Sequence, residues 1–184
     1  MCGIFGQYHR LGPIVDYAPL CLATNTLAHR GPDDGTWWAD GSFFLGHRRL
    51  AIIDLSQGTQ PMATTDGRYV IVFNGEIYNF LELRQELKSL GFLFETNSDT
   101  EVILQGYVAW GVALPTKLIG MFAFAIVDRQ EETLFLARDR FGEKPLFIYE
   151  TSQNVTFASE LGTLLTQKSI EREMDMVALG EFLC

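Results

Sequence analysis

The sequence begins Met1-Cys2-Gly3-Ile4-Phe5-Gly6, which places a cysteine directly after the initiator methionine. Removal of Met1 would leave the Cys2 thiol and a free α-amine on one residue. An α-amine has a reference pKa of about 7.7–8.0, so much of it can be neutral and able to accept the thiol proton. Because activation of a nucleophile by an N-terminal amine is an established catalytic device, this stretch indicates an N-terminal nucleophile, provided that the rest of the chain supplies a site.

The composition indicates a single domain with a sizeable core. The chain has 184 residues, of which 47% are apolar, and this is enough for one substantial domain. The longest apolar runs, such as residues 121–127, are far shorter than the ~20 residues that a membrane-spanning helix needs. A net charge of −9 disfavours a nucleic-acid partner, because phosphate binding requires a basic face.

The cysteines and histidines argue against a metal site or a disulfide scaffold. The three cysteines contain no C-x-x-C pair, and the three histidines have no metal-ligand spacing. No secretory signal is visible at the N-terminus. We therefore expect a cytoplasmic protein in a reducing environment, with no metal and no cofactor bound by this chain.

Short apolar runs alternate with helical patterns along the chain, which predicts an α+β layered domain. Turn pairs at Asp40-Gly41 and Asp66-Gly67 separate several of the strands. Asn79 and Ser98 each have a glutamate three residues later, a pattern that predicts helix N-termini. The predicted strands cover residues 3–8, 37–38, 43–45, 69–73, 122–127, 134–137, 146–149 and 155–158. The predicted helices cover residues 19–29, 79–91 and 98–111.

The pair Asn74-Gly75 has two interpretations. Between apolar runs, Asn-Gly is a strong signal for a tight β-hairpin. Alternatively, the Asn74 side-chain amide and the Gly75 backbone N–H could form an oxyanion hole for a tetrahedral intermediate.

Arg49, Glu76 and Asp99 are candidates for binding an α-amino acid. Arg48 and Arg49 could both be solvated surface residues, but a guanidinium can also hold a carboxylate through two hydrogen bonds. Asp99 follows a helix N-cap, where the helix dipole alone explains an acid. Together with Glu76, however, it could bind an ammonium group.

Eight stretches carry a resemblance to a known family. They are MCGIFG, HRGPD, HRRLAIIDLSQGTQPM, FNGEIYN, SDTEV, GMFAFAIVD, RDRFGEKPL and FASEL, which occur in this order over nearly the whole chain. The sequence resembles the N-terminal glutaminase domain of class II glutamine amidotransferases, and within them the branch of the glutamine-hydrolysing asparagine synthetases. The resemblance implies an Ntn-hydrolase fold, a four-layer αββα sandwich with two antiparallel sheets.

The resemblance also implies roles for individual residues. Cys2 would be the nucleophile, and Asn74 with Gly75 would form the oxyanion hole. The remaining expected contacts to L-glutamine are Arg49 to the carboxylate, the backbone of Leu50, Ile52 and Ile53 along the pocket, and Glu76 and Asp99 to the amino group.

The expected domain covers residues 1–184, with about residues 170–184 as the start of a link to a C-terminal synthetase domain. That partner domain would need ATP and Mg²⁺ and would use the ammonia to make asparagine from aspartate. A homodimer is an expected assembly of the full-length enzyme. Two alternatives stay open: another amide-forming acceptor, or a non-catalytic module that binds glutamine or a partner. The presence of Cys2 with a complete pocket argues against the second.

Overall fold

Two antiparallel sheets form the centre of the fold in a computed structural model, which describes residues 1–50, 58–170, 172 and 174–183. The strands are β1 Gly3–His9, β2 Asp34–Asp40, β3 Phe43–Arg49, β4 Met62–Ala63, β5 Tyr69–Ile77, β6 Gly120–Asp128, β7 Thr133–Arg138, β8 Phe147–Glu150 and β9 Asn154–Ala158. The first sheet has the order β2-β3-β1-β9-β8, and the second has the order β4-β5-β6-β7.

The helices lie between and after the strands, as α1 Ala18–Thr26, α2 Phe80–Ser89, α3 Asp99–Trp110, α4 Leu161–Leu164 and α5 Met176–Leu183. Short 3₁₀ helices cover Leu27–His29 and Gly111–Thr116. Ser98 caps α3 as predicted, since its Oγ accepts the Glu101 N–H at 3.2 Å. Asn79 is the N-cap residue of α2 as predicted, but its side chain makes no capping hydrogen bond. Its amide group instead donates to the Lys117 carbonyl and accepts the Ile119 N–H. None of the helices in the described part of the chain is long and apolar enough to cross a membrane.

Three apolar clusters separate four layers. The cluster between the two sheets includes Ile4, Leu45, Val72, Ala125 and Phe157. The outer face of the first sheet packs on α1 and α4 through residues that include Phe5, Phe44 and Leu164. The outer face of the second sheet packs on α2 and α3 through residues that include Phe73, Leu87, Ile103 and Phe124. The predicted αββα sandwich with two antiparallel sheets is therefore confirmed.

Strand alternation determines which side chains face the space between the sheets. Successive side chains of a strand point to opposite faces. Ile4 and Val72 belong to the inter-sheet cluster. Cys2, which directly precedes β1, and Asn74 on β5 therefore share that face. Leu45 also belongs to it, which puts Arg49 of β3 on the same face. One end of the inter-sheet space therefore collects polar residues from three chain segments.

The hairpin interpretation of Asn74-Gly75 is wrong. Strand β5 continues through both residues to Ile77, with Asn74 opposite Ala123 and Gly75 opposite Phe122 of β6. A side chain at Gly75 would place its Cβ 2.2 Å from the Met121 carbonyl oxygen. The glycine is needed for this close approach of two strands and not for a chain reversal.

Candidate active site

A cavity of about 270 Å³ lies at the end of the inter-sheet space where β1 begins and β3 ends. It brings together most of the residues predicted from sequence: Cys2, Arg49, Leu50, Asn74, Gly75, Glu76 and Asp99. Ile52 and Ile53 lie outside the described residues. A second hollow of about 350 Å³ lies at the opposite end of β1, near Tyr8 and Asp40, and contains none of the predicted site residues.

Cys2 is held in place by its backbone and its neighbours. The Cys2 carbonyl accepts a hydrogen bond from Arg30 Nε at 3.0 Å, and Arg30 is paired with Glu160 at 3.2 Å. The thiol lies 3.8 Å from the Leu50 carbonyl oxygen. A Cβ at Gly3 would lie 2.8 Å from Leu27 Cβ, so the glycine lets the strand run close under the 3₁₀ helix. These contacts fix the sulfur at the cavity wall.

Asn74 presents an unused hydrogen-bond donor in this cavity. The residue is 1% exposed, and its Nδ2 has no hydrogen-bond partner among the described residues. Buried side-chain donors are nearly always paired in folded proteins, and leaving one unpaired costs free energy. Such a donor would be paired by an acceptor atom that enters the cavity.

Two carboxylates lie on another wall of the cavity. Asp99 stands at the start of α3, and its Oδ2 accepts the Ile77 N–H at 3.1 Å. Burial raises the pKa of Asp99, hydrogen bonds from backbone N–H groups oppose this, and the nearby charge of Glu76 raises it further. A bound cation would relieve both the burial and the repulsion between the two acids. The pair is therefore suited to an ammonium group.

Only one of the two adjacent arginines reaches the cavity. Arg49 lines it, whereas Arg48 lies on the other face of β3, where its Nε donates to the Gly31 carbonyl at 3.1 Å. The expected alternation of the two side chains is confirmed. The cavity is lined by one guanidinium and two carboxylates, charges that are complementary to those of a free α-amino acid.

Sequence reasoning missed two residues of the site, His47 and Lys144, which both line the cavity. His47 lies near the backbone of Phe73, but neither of its ring nitrogens has a hydrogen-bond partner among the described residues. Burial lowers the pKa of His47 from 6.5 to about 4, so the ring is neutral at neutral pH. Lys144 comes from the loop after β7, which carried no chemical signature in the sequence. No sequence spacing identifies either residue as part of the site, because only the tertiary fold brings them to the cavity.

The sequence model of a family described as "Glutamine amidotransferase domain" matches residues 1–184. The chain belongs to this family.

The relatives are longer proteins. "Asparagine synthetase [glutamine-hydrolyzing] 3" of Bacillus subtilis (strain 168) is 40% identical over 184 residues, covering 98% of this chain and 30% of that protein. The "Putative asparagine synthetase [glutamine-hydrolyzing]" of Mycobacterium tuberculosis (strain ATCC 25618 / H37Rv) is 47% identical over 176 residues, covering 89% and 27%. The glutamine amidotransferase domain thus spans about 30% of the first of these relatives.

Among solved structures, the glutamine phosphoribosylpyrophosphate amidotransferase of B. subtilis, complexed with ADP and GMP, is similar with a TM-score of 0.71. It is 24% identical, and the match covers 90% of this chain and 43% of that chain. At this identity the likeness concerns the fold. It agrees with the two-sheet sandwich expected of a class II glutamine amidotransferase.

Proposed function

We propose that this domain hydrolyses the side-chain amide of L-glutamine, with Cys2 as the nucleophile once Met1 is removed. The proposal is carried by Asn74, whose side-chain donor has no partner in the part of the chain that the structure describes and which lines the same cavity as Cys2. A donor of this kind stabilises the negative oxygen that forms when a thiolate adds to an amide carbonyl.

The proposed reaction uses only groups of this chain, and no cofactor takes part. The Cys2 α-amine accepts the thiol proton, and the thiolate adds to the δ-carbon of glutamine. Asn74 Nδ2 and the Gly75 N–H are the proposed donors to the oxyanion. The C–N bond then breaks, and the ammonium form of the α-amine returns its proton to the leaving ammonia. Water, deprotonated by the same amine, cleaves the γ-glutamyl thioester to glutamate and free thiol.

Recognition of the substrate is proposed to rest on charge. Arg49 binds the α-carboxylate, and Glu76 with Asp99 binds the α-ammonium. These groups line the same cavity as the sulfur, so they would hold the side-chain amide close to the nucleophile, and such positioning lowers the entropic part of the barrier.

The use of the ammonia is a further part of the proposal. Relatives named as glutamine-hydrolysing asparagine synthetases support delivery to an ATP-dependent synthetase domain that makes asparagine from aspartate in the cytoplasm. ATP and Mg²⁺ belong to that domain and not to this one. A homodimer of such an enzyme is part of the same proposal.

Substitution of Cys2 tests the nucleophile. Cys2→Ala should abolish ammonia release, while glutamine binding measured by calorimetry should persist, because the binding groups lie on other residues. Intact mass should show that active protein lacks Met1, since an acylated nitrogen is a poor base. Mass spectrometry of wild-type protein quenched during turnover should show a γ-glutamyl adduct on Cys2.

Cys21→Ala is the matched control. Cys21 lies in α1 on the far side of the first sheet and packs with the cluster that contains Phe5. This variant should keep its glutaminase rate. Ammonia release by Cys2→Ala at a rate comparable to wild type would require a different nucleophile and would remove the basis of the proposal.

A further inference from the structure

Gln60 is a buried amide whose side chain connects two elements of the candidate site. The residue is 6% exposed and lines the cavity. Its Oε1 accepts the Phe73 N–H of β5 at 2.6 Å, and its Nε2 donates to Thr100 Oγ1 of α3 at 3.3 Å. Its backbone carbonyl accepts a hydrogen bond from the Thr36 hydroxyl of β2. Both ends of the side-chain amide are therefore used to hold other parts of the protein.

The contact with Phe73 takes the place of a backbone pair at the edge of the second sheet. Strand β4 pairs with β5 through Met62 opposite Ile71, and the same register puts residue 60 opposite Phe73. Because β4 begins only at Met62, the Phe73 N–H lies beyond the paired part of β4. A buried backbone N–H that has no acceptor costs free energy. Gln60 Oε1 supplies this acceptor and so completes the edge of the sheet.

The direction of the N–H groups along β5 explains why this acceptor matters to the site. Successive N–H groups of a strand point to opposite sides of it. The Phe73 N–H points to Gln60, away from β6, and the Ile77 N–H points to Asp99 Oδ2, on the same side, at 3.1 Å. The Gly75 N–H lies between them and faces this side as well. It is the backbone donor that the proposed reaction uses for the oxyanion.

Gln60 and Asp99 connect β5 to the beginning of α3 on both sides of the oxyanion donors. Asp99 and Thr100 are consecutive residues of α3. The first binds the N–H of Ile77, and the second binds the side chain of Gln60. Residues 74–76 of β5 lie between these two connections, so both ends of this short stretch are held against one helix. Loss of Gln60 would release one end, while the bond between Asp99 and Ile77 would still hold the other.

We propose that Gln60 is a positioning residue that keeps Asn74 and the Gly75 N–H at the place where the oxyanion of the substrate forms. The inference rests on the proposed function and deepens it. Oxyanion donors are effective because they are in place before the charge develops. A small displacement of β5 therefore destabilises the transition state more than the bound substrate. The α-carboxylate and α-ammonium of glutamine are bound by other residues, so their binding depends little on Gln60.

Steady-state glutaminase kinetics of Gln60→Met test this role, because methionine has a similar length but no amide group. Gln7→Met is the matched control. Gln7 is also a buried glutamine, and its Nε2 donates to the hydroxyl of Thr156, its neighbour in the first sheet, at 3.0 Å. Thr100→Val is a second test, since it removes the hydroxyl that Gln60 contacts and keeps the shape of the side chain. The full chain without Met1 is used, at a temperature at which circular dichroism shows that the variants are folded.

We expect Gln60→Met to lower kcat by roughly ten- to a hundredfold, because small errors in the placement of catalytic groups are costly. KM for glutamine should stay near the wild-type value. Thr100→Val should lower kcat by a smaller factor, and the double variant should be no slower than Gln60→Met, since both changes break one connection. Gln7→Met should keep both kinetic constants near wild type.

Two results would overturn the proposal: a kcat of Gln60→Met equal to that of Gln7→Met, or a raised KM with kcat unchanged. If Gln60→Met does not fold, Thr100→Val decides, and a wild-type kcat in that variant overturns the proposal as well. Failure of the proposed function would show itself separately, as glutaminase turnover by Cys2→Ala, which leaves the comparison between Gln60→Met and Gln7→Met unaffected.

Discussion

At the scale of the residue, the arginine pair at the end of β3 shows how one position along a strand changes the role of a side chain. Arg49 lines the cavity, and Arg48 binds the Gly31 carbonyl on the opposite face. Arg49→Ala should raise KM for glutamine with little change in kcat, because the carboxylate is bound equally in the ground state and the transition state.

The neighbouring substitution provides the control for that prediction. Arg48→Ala should leave both kinetic constants near wild type and should lower the free energy of unfolding by about 1 kcal/mol, the usual net value of one hydrogen bond.

Asn74→Ala should instead lower kcat by roughly two to three powers of ten, because the oxyanion exists only after attack. Steady-state kinetics on the three variants distinguishes the roles. A large kinetic defect in Arg48→Ala with a mild one in Arg49→Ala would reverse the assignment.

At the scale of the element, the loop between β7 and β8 depends on one buried carboxylate. Asp139 Oδ1 accepts the N–H groups of Phe141 and Glu143, and Oδ2 accepts those of Phe122 and Lys144. Burial alone would raise the pKa of Asp139, but the four N–H groups outweigh it and lower the pKa below 3.8. The ionised form is therefore the one that the folded loop stabilises.

Asp139→Asn should destabilise the protein, because an amide has one acceptor oxygen and points its NH₂ at donors. We expect a loss of about 2–3 kcal/mol in the free energy of unfolding at pH 7. The folded-state pKa is depressed, so this contribution is present above pH 3.8 and is lost as the pH falls below it. Urea denaturation from pH 7 to pH 3 measures the difference in the free energy of unfolding between variant and wild type. This difference should become smaller only at the acid end of the range.

Glu143→Gln is the matched control, since Glu143 is exposed in the same loop and loses the same charge. Its stability should stay within ~0.5 kcal/mol of wild type at every pH. A gap between Asp139→Asn and wild type that did not change with pH would mean that packing, and not the ionised acceptor, accounts for the loss.

This loop also marks a limit of sequence reasoning about elements. Most of the strands and helices could be predicted, because their side chains repeat with a period of two or 3.6 residues. The short β4 and α4 were not predicted. The loop has no period. It is held by Asp139, which reaches the backbone of β6, and by Arg138, which donates to the Gly142 and Lys144 carbonyls. The prediction of residues 37–38 as a strand was too short for a related reason. Strand β2 is an edge strand that begins and ends with Asp34 and Asp40, so its ends lack the apolar alternation of a buried strand.

At the scale of the whole molecule, the sequence identifies the catalytic candidates, but it does not predict where in the fold they come together. Cys2, Asn74 and Asp99 are marked by position, by an Asn-Gly pair and by a helix start. They converge because β1 and β5 face each other across two sheets, and that pairing depends on contacts between distant parts of the chain. The same long-range packing places His47 in the cavity. It stands opposite Ile4 in the first sheet, and no metal-ligand spacing marks it in the sequence.

The burial of His47 leads to a prediction about the acid stability of the whole protein. In the unfolded chain the ring takes up a proton below pH 6.5, whereas the folded protein does so only near pH 4. The unfolded state therefore binds more protons in this window, and the free energy of unfolding falls as the pH drops, by about 1.4 kcal/mol per pH unit at most. The raised pKa of Asp99 acts with the opposite sign above pH 3.8.

His47→Gln removes the histidine contribution and leaves that of Asp99 in place. Urea denaturation at half-unit steps between pH 7 and pH 4 should give a flatter pH dependence for the variant, with wild type losing about 3 kcal/mol more of its free energy of unfolding than the variant over this window. A packing defect in the variant would lower its stability equally at every pH, so the slope and not the absolute value carries the test. Parallel curves would show that folding leaves the pKa of His47 near 6.5, and its ring would then add a positive charge near Arg49 in mild acid.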